Sequence, residues 1–256
     1  MKRFGIALGG GGARGFAHVG VLKVLIEAGV GPTLVAGTSA GGLVGAMYAA
    51  GLDWTWVEKL ARSLPWARLL DLTVSPGGLI SGRRFLGLFH TIFHDRHFEE
   101  LPVPLALTAV DLVEGRLVVL KSGPVVPALR ATISIPGVFT PVRQGSMVLV
   151  DGGVLDSVPA DVVRDMGAEV VLAVDLGAHG PTDPGQLRSA RDMLFRAYDV
   201  MSDAINQKSL SKADVVLQPG FSHVGTFDFR YIDRLISAGE ARTRAILPSL
   251  LRLLEA

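Results

Sequence analysis

Leu34-Val35-Ala36-Gly37-Thr38-Ser39-Ala40-Gly41-Gly42-Leu43-Val44-Gly45-Ala46-Met47-Tyr48-Ala49-Ala50 runs from a short apolar stretch, through small and hydroxyl residues, into a second apolar segment closed by Gly51. Residues 34–36 read as a buried strand, 37–42 as a tight turn and 43–50 as a helix. Within the turn, Gly37-Thr38-Ser39-Ala40-Gly41 has the G-x-S-x-G spacing of a nucleophile elbow. There a serine on a strained strand-to-helix turn projects its Oγ into the open. Small neighbours let the flanking backbones pass, and the helix that follows aims its first N–H groups at the site. The same residues also suit a glycine-rich packing turn in which Ser39 merely caps the helix.

Upstream, residues 4–8 form an apolar run that ends in Gly9-Gly10-Gly11-Gly12, a buried strand entering a loop. A helix follows over 15–28, with Phe16, Val19, Leu22 and Ile26 at helical spacing and Gly29 as its stop. Gly10-x-Gly12-x-x-Gly15 satisfies the dinucleotide fingerprint, which also expects a carboxylate at the end of the next strand. That position holds Gly37-Thr38-Ser39 instead, and no Gly-Lys-Ser/Thr follows to make a phosphate-binding P-loop. What remains is a run of glycine N–H groups at a helix N-terminus with Arg14 beside it. Such an array stabilises negative charge on a carbonyl oxygen, as an oxyanion hole does. The competing account is that the glycines only permit close strand–helix packing.

Downstream, Asp151-Gly152-Gly153 follows the apolar strand 147–150. Alone it is a common turn signal, but beside an elbow and a glycine loop it supplies the missing base. Further strands are expected at 105–110, 117–120, 170–174 and 215–217, and helices at 125–131, 188–212 and 231–254. This alternation argues for an α/β fold with a mainly parallel sheet covered on both faces. The segment 53–98 stands apart. It carries all three tryptophans, a loop at 75–78 and a helix at 81–93, and is read as a helical insertion in one domain spanning 1–256.

Composition narrows the function. The 256 residues are 49% hydrophobic and 19% charged, with net charge +1 and mean hydropathy +0.41. No dense basic patch exists for nucleic acid, and no cysteine for disulfides or thiolate chemistry. The N-terminal apolar run is too short for a signal peptide, so a cytoplasmic location is expected. Residues 28–52 carry no charge, but Pro32 and the glycines argue against a membrane span. Low charge and the tryptophans predict weak, reversible contact of 53–98 with lipid surfaces.

Gly10-Gly11-Gly12-Ala13-Arg14-Gly15, Gly37-Thr38-Ser39-Ala40-Gly41 and Asp151-Gly152-Gly153, in that order, resemble the patatin-like phospholipase family. Ala131-Thr132-Ile133-Ser134-Ile135-Pro136, continuing through Phe139 to Pro141, looks like the family's third block, with Thr132 where the family usually has Ser. Arg14-Gly15-Phe16-Ala17-His18, Val158-Pro159 and Ala213-Asp214-Val215 resemble its compact bacterial members. The resemblance implies a three-layer α/β/α fold and a Ser–Asp dyad of Ser39 and Asp151. It also implies an oxyanion hole on Gly10, Gly11 and Gly12 with Arg14 as its basic residue, and no metal or organic cofactor.

The expected activity is hydrolysis of a carboxylic ester on a phospholipid, lysophospholipid or acylglycerol through an acyl-enzyme. A triad would need a histidine near Ser39. His18 is read as a packing residue, and His90, His94 and His97 as a solvated helix end, although their spacing also suits a metal. His179 and His223 are assigned to loops. Two other classes stay open: a dinucleotide oxidoreductase, and a non-catalytic member of the fold that binds acyl chains or a protein.

Overall fold

The computed structural model describes residues 2–75, 77–177, 180–221 and 224–256. Pro76, His179 and His223 lie outside the described residues. Its centre is β1 (Phe4–Leu8), buried at every position, followed by α1 (Phe16–Glu27), β2 (Leu34–Gly37) and α2 (Ala40–Ala49). Then come α3 (Trp54–Ser63), β3 (Leu72–Ser75), β4 (Gly78–Ile80), α4 (Arg83–Phe93), β5 (Leu105–Asp111), β6 (Arg116–Leu120) and α5 (Val125–Thr132). The chain continues through β7 (Gly137–Phe139), β8 (Val142–Gln144), β9 (Met147–Asp151), α6 (Ala160–Asp165) and β10 (Val170–Val174). It ends with α7 (Ala190–Leu210), β11 (Val215–Leu217) and α8 (Ile232–Glu255).

The main sheet has the order β11-β10-β1-β2-β5-β9-β8, with β6 also paired to β5. From β11 to β5 every pairing is parallel, and β6, β8 and β9 add antiparallel strands at one side. The two faces of β1 explain the layering. Phe4, Ile6 and Leu8 enter the large core under α1, α2 and α8. Ala7 points the other way, in register with Ala173, with Ala36 and, through it, with Ala106. These alanines make a low surface on which α6 lies through Val162 and Val163. The result is a three-layer α/β/α fold with a mainly parallel central sheet, as expected.

The segment 53–98 differs from its expectation. It holds α3 and α4, but also β3 and β4, which join β7 in a second, three-stranded sheet. Strands this short show no period-two pattern, and β7 lies beyond α5 in the chain, so no local signal marks the pairing. The tryptophans differ too. Trp54 and Trp66 are buried, donating through Nε1 to the carbonyls of Val19 (3.1 Å) and Ala61 (2.8 Å). Only Trp56 is exposed. Among the described residues no helix is long and apolar enough to cross a membrane.

Helices α1 and α8 cross at reciprocal glycines. A Cβ on Gly20 would overlap the Ile236 carbonyl oxygen, and one on Gly239 would overlap that of Ala17. Gly239→Ala should therefore push the axes apart and cost about 1–3 kcal/mol, as overpacking does. A thermal melt should show a fall of several degrees, whereas an unchanged melting temperature would contradict the close crossing.

Candidate active site

Ser39 joins β2 to α2 with φ 54° and ψ −124°, a backbone conformation disfavoured for a residue with a side chain. Several contacts hold it there. The Ser39 N–H donates to Thr132 Oγ1 at 2.9 Å, a bond that needs only a hydroxyl side chain at position 132. The Thr38 carbonyl accepts from the N–H groups of Gly41 (2.9 Å) and Gly42 (3.2 Å). Thr38 Oγ1 donates to the Asp156 carbonyl (3.0 Å) and accepts from Thr108 Oγ1 (2.6 Å). Gly41 touches the Leu8 carbonyl so closely that a Cβ would overlap it. Gly37 lies against Gly42, and Gly15 against Ala40. The elbow is thus locked to β1, β5 and α5.

Asp151 ends β9, and its N–H is bonded to the Ser134 carbonyl at 2.9 Å. Its Oδ1 accepts from the Gly153 N–H at 2.8 Å, and the Ser39 side chain beside the carboxylate also favours its ionised form. Gly152 lies against Thr108, and Gly153 against the Tyr198 hydroxyl. Asp151 is fully enclosed. Burial raises its pKa to about 7, against the smaller downward pull of the neighbouring Ser39 side chain and the Gly153 N–H. Burial, together with the charges of Asp151 and Asp199, raises Tyr198 well above the ordinary phenol value.

The glycine loop is gripped peptide by peptide. In a trans peptide the C=O and the next N–H point oppositely. The Gly9 carbonyl accepts from His18 Nε2 (2.7 Å), while the Gly10 N–H donates to the Ser157 carbonyl (2.9 Å). The Gly11 carbonyl accepts from Arg14, through its backbone N–H (3.1 Å) and its Nε (3.3 Å), which turns the Gly12 N–H the other way. This refines the expectation for Gly10, Gly11 and Gly12. The Gly10 N–H is committed to Ser157, whereas those of Gly11 and Gly12 have no acceptor among the described residues. Ala40 adds another N–H of this kind at the start of α2. This N–H was not read from the sequence, although in a nucleophile elbow the residue after the serine commonly offers one.

Arg14 is also more constrained than expected. It is buried, and its guanidinium is paired with Asp199 of α7 at 3.0 Å. Its evident work is to orient the Gly11–Gly12 peptide. Nothing in the local sequence around Asp199 distinguishes it from a surface acid, so the partner was missed. His18 is buried as expected for a packing residue. Desolvation lowers its pKa to about 4, leaving a neutral ring that donates to Gly9. His90 and His94 lie at the end of α4, and His97 caps the following turn. No carboxylate stands at the end of β2 to hold a ribose, since the elbow occupies that place.

Two pockets meet at Ser39. One, with about 810 Å³ of space partly open to solvent, is lined by Phe16, Leu43, Met47, Leu60, Trp66 and Phe89 among other apolar groups. Leu60, Trp66 and Phe89 come from 53–98, so that segment forms part of the pocket wall. The other, of about 520 Å³, holds Asp151, Arg14, the glycine loop and the polar residues Tyr198, Asp199, Ser202 and Asn206 of α7.

Residues 6–164 match the family model described as patatin-like phospholipase. An uncharacterised NTE family protein of Mycobacterium tuberculosis is 34% identical over 98% of this chain and 48% of its own length. The human patatin-like phospholipase domain-containing protein 6 is 37% identical over 70% of this chain and 14% of its own. The chain thus spans about half the mycobacterial relative and much less of the human one. In fold, VipD from Legionella pneumophila superposes with a TM-score of 0.67 at 15% identity, over 97% of this chain and 67% of that one. The type III effector ExoU gives a TM-score of 0.51 at 15% identity, over 97% and 53% respectively.

The raised pKa of Asp151 has a consequence for stability. Below the ordinary carboxyl value of 3.8 the group is neutral in both folded and unfolded chains. As pH rises toward about 7 the unfolded chain ionises first, so stability is lost, and the loss levels off above that value. At about 1.4 kcal/mol for each tenfold difference in proton affinity, the full penalty is on the order of 4 kcal/mol. Asp151→Asn should therefore melt higher than the parent at pH 8, with the gap shrinking toward pH 4. A gap independent of pH would show that Asp151 is not buried as described.

Proposed function

The chain belongs to the patatin-like phospholipase family, and we propose that it is a serine hydrolase of lipid carboxylic esters with Ser39 as nucleophile and Asp151 as general base. One observation carries the reading. Ser39 stands at the seam of an apolar and a polar pocket, beside a buried carboxylate and a loop whose Gly11 and Gly12 N–H groups have no acceptor among the described residues. An acyl chain fits the apolar pocket, and the alcohol part of the ester fits the polar one.

In this reading Ser39 Oγ attacks the acyl carbon as its proton passes to Asp151. A carboxylate of ordinary proton affinity is a poor partner for a hydroxyl, and burial narrows that gap. Charge leaves Asp151 as it forms on the former carbonyl oxygen, where the N–H groups of Gly11, Gly12 and Ala40 receive it. Collapse of the intermediate expels the alcohol, which takes the proton from Asp151 and leaves the acyl group on Ser39. Water then attacks the acyl-enzyme, giving its proton to Asp151. The second collapse frees the carboxylic acid and restores both side chains. Arg14, His18 and Ser157 position the loop.

A hydrolysis screen over p-nitrophenyl esters and defined lipids tests the reading. Ser39→Ala and Asp151→Asn should each remove most of kcat. His18→Gln, which disturbs only the loop's support, should cost far less. Leu60→Trp should narrow the apolar pocket and lower kcat/KM for long acyl chains by roughly tenfold or more relative to short ones, as a blocked apolar subsite does. A Ser39→Ala chain with full turnover would end the proposal. A Leu60→Trp chain with an unchanged chain-length profile would move the acyl group out of this pocket.

A further inference from the structure

Helix α7 is amphipathic in the reverse sense. Its inner face carries Tyr198, Asp199, Ser202, Asn206 and Ser209, and it is held down by polar bonds. Asp199 pairs with Arg14, Ser202 Oγ donates to the Gly153 carbonyl at 3.1 Å, and Asn206 Oδ1 accepts from the Ser157 N–H at 3.0 Å. Ser209 Oγ donates to the Val158 carbonyl at 2.7 Å. The outer face presents Met193, Leu194, Ala197, Val200, Met201 and Ile205 to solvent, with Ala204 between them. These positions recur three and four apart, so they form one stripe along the helix. The largest are well exposed: Met193 56%, Leu194 57%, Val200 50% and Met201 56%.

A helix on a water-facing surface normally turns such a stripe inward, because burying apolar area is the main gain in folding. Here the inward face is instead occupied by the polar pocket of the active site. The apolar face is left outside, and contiguous exposed apolar surface of this kind marks a contact site.

We propose that the outer face of α7 seats this chain on a lipid surface. Three features favour that occupant over a protein. The stripe carries no acidic residue, and its continuation by one turn is the exposed cation Lys208, which suits anionic headgroups. The helix is too polar on its inner face to cross a bilayer, so it lies along the interface. Its other face lines the pocket holding Ser39 and Asp151, so seating the stripe brings that pocket to the phase from which a lipid ester comes. Only this last point rests on the hydrolase reading. Two of the three tryptophans of 53–98 are turned inward, and α7 takes the role expected of that segment.

Flotation with vesicles tests the proposal, using the full chain carrying Ser39→Ala so that the vesicles stay intact. The chain should float with phosphatidylcholine vesicles, and more strongly when phosphatidylglycerol is included. Leu194→Gln with Met201→Gln, and separately Met193→Ser with Ile205→Ser, should each weaken binding about tenfold or more. Lys208→Glu should weaken it only on the phosphatidylglycerol vesicles. In chains that keep Ser39, turnover of a soluble p-nitrophenyl ester should be the same with and without these surface changes. Failure of that turnover in the parent would strike the hydrolase reading and leave the flotation result standing. The proposal is overturned if the Ser39→Ala chain does not float, or if both double variants float as well as it does. It is equally overturned if the chain is a dimer that the Met201→Gln change dissolves.

Discussion

The backbone at Ser39 is the constraint on which the site depends. A residue with a side chain at φ 54° costs on the order of 1–3 kcal/mol, and the neighbouring structure must hold it there. The grip comes from three separate parts of the chain: the Leu8 end of β1, the Thr108 hydroxyl on β5 and the Thr132 hydroxyl closing α5. Gly41 allows the first contact because nothing larger fits against the Leu8 carbonyl. Parallel strands bring these parts together, since β1, β2 and β5 all end on the same side of the sheet. The fold and the backbone of Ser39 are therefore one problem, and loosening any of these contacts would relax the turn that holds Ser39.

A second tension lies in Asp151. A carboxylate in solvent would leave the fold more stable near neutral pH and would be a weaker proton acceptor. Burial reverses both properties, and the Gly153 N–H and the neighbouring Ser39 side chain only partly offset it. The glycine loop shows the same division between support and action. Its outer groups are spent on His18, Ser157 and Arg14, while the N–H groups of Gly11 and Gly12 have no acceptor among the described residues.

Much of this was legible in the sequence, for identifiable reasons. The central strands are apolar runs, ending at glycine in β1 and β2 and flanked by Glu169 and Asp175 in β10, so all three fall where the pattern predicts. The elbow and Asp151 stand on strand ends and are punctuated by glycine. Helix α2 begins at Ala40, ahead of its expected start, because Gly41 and Gly42 lie inside it and mask the helical period. The strands β3, β4 and β7 were hidden by their shortness and their distant pairing. The partners Asp199 and Tyr198 were hidden because helix α7 reads as an ordinary amphipathic helix, and only the fold shows that its polar side faces in. Trp54 and Trp66 misled in the opposite direction, since a tryptophan-rich segment looks like surface until its ring N–H groups find carbonyls in the core.

The most direct measurement is the rate at which a fluorophosphonate modifies the chain as a function of pH, with the modified peptide identified by mass spectrometry. Modification should fall on Ser39 alone. Its rate should rise through a midpoint of about 7 as Asp151 ionises, and then level off. In Asp151→Asn the reaction should be slow and this titration absent. A label on Ser134 or Ser157, or a Ser39 rate in the parent that does not change across neutral pH, would contradict the pairing of Ser39 with a buried Asp151.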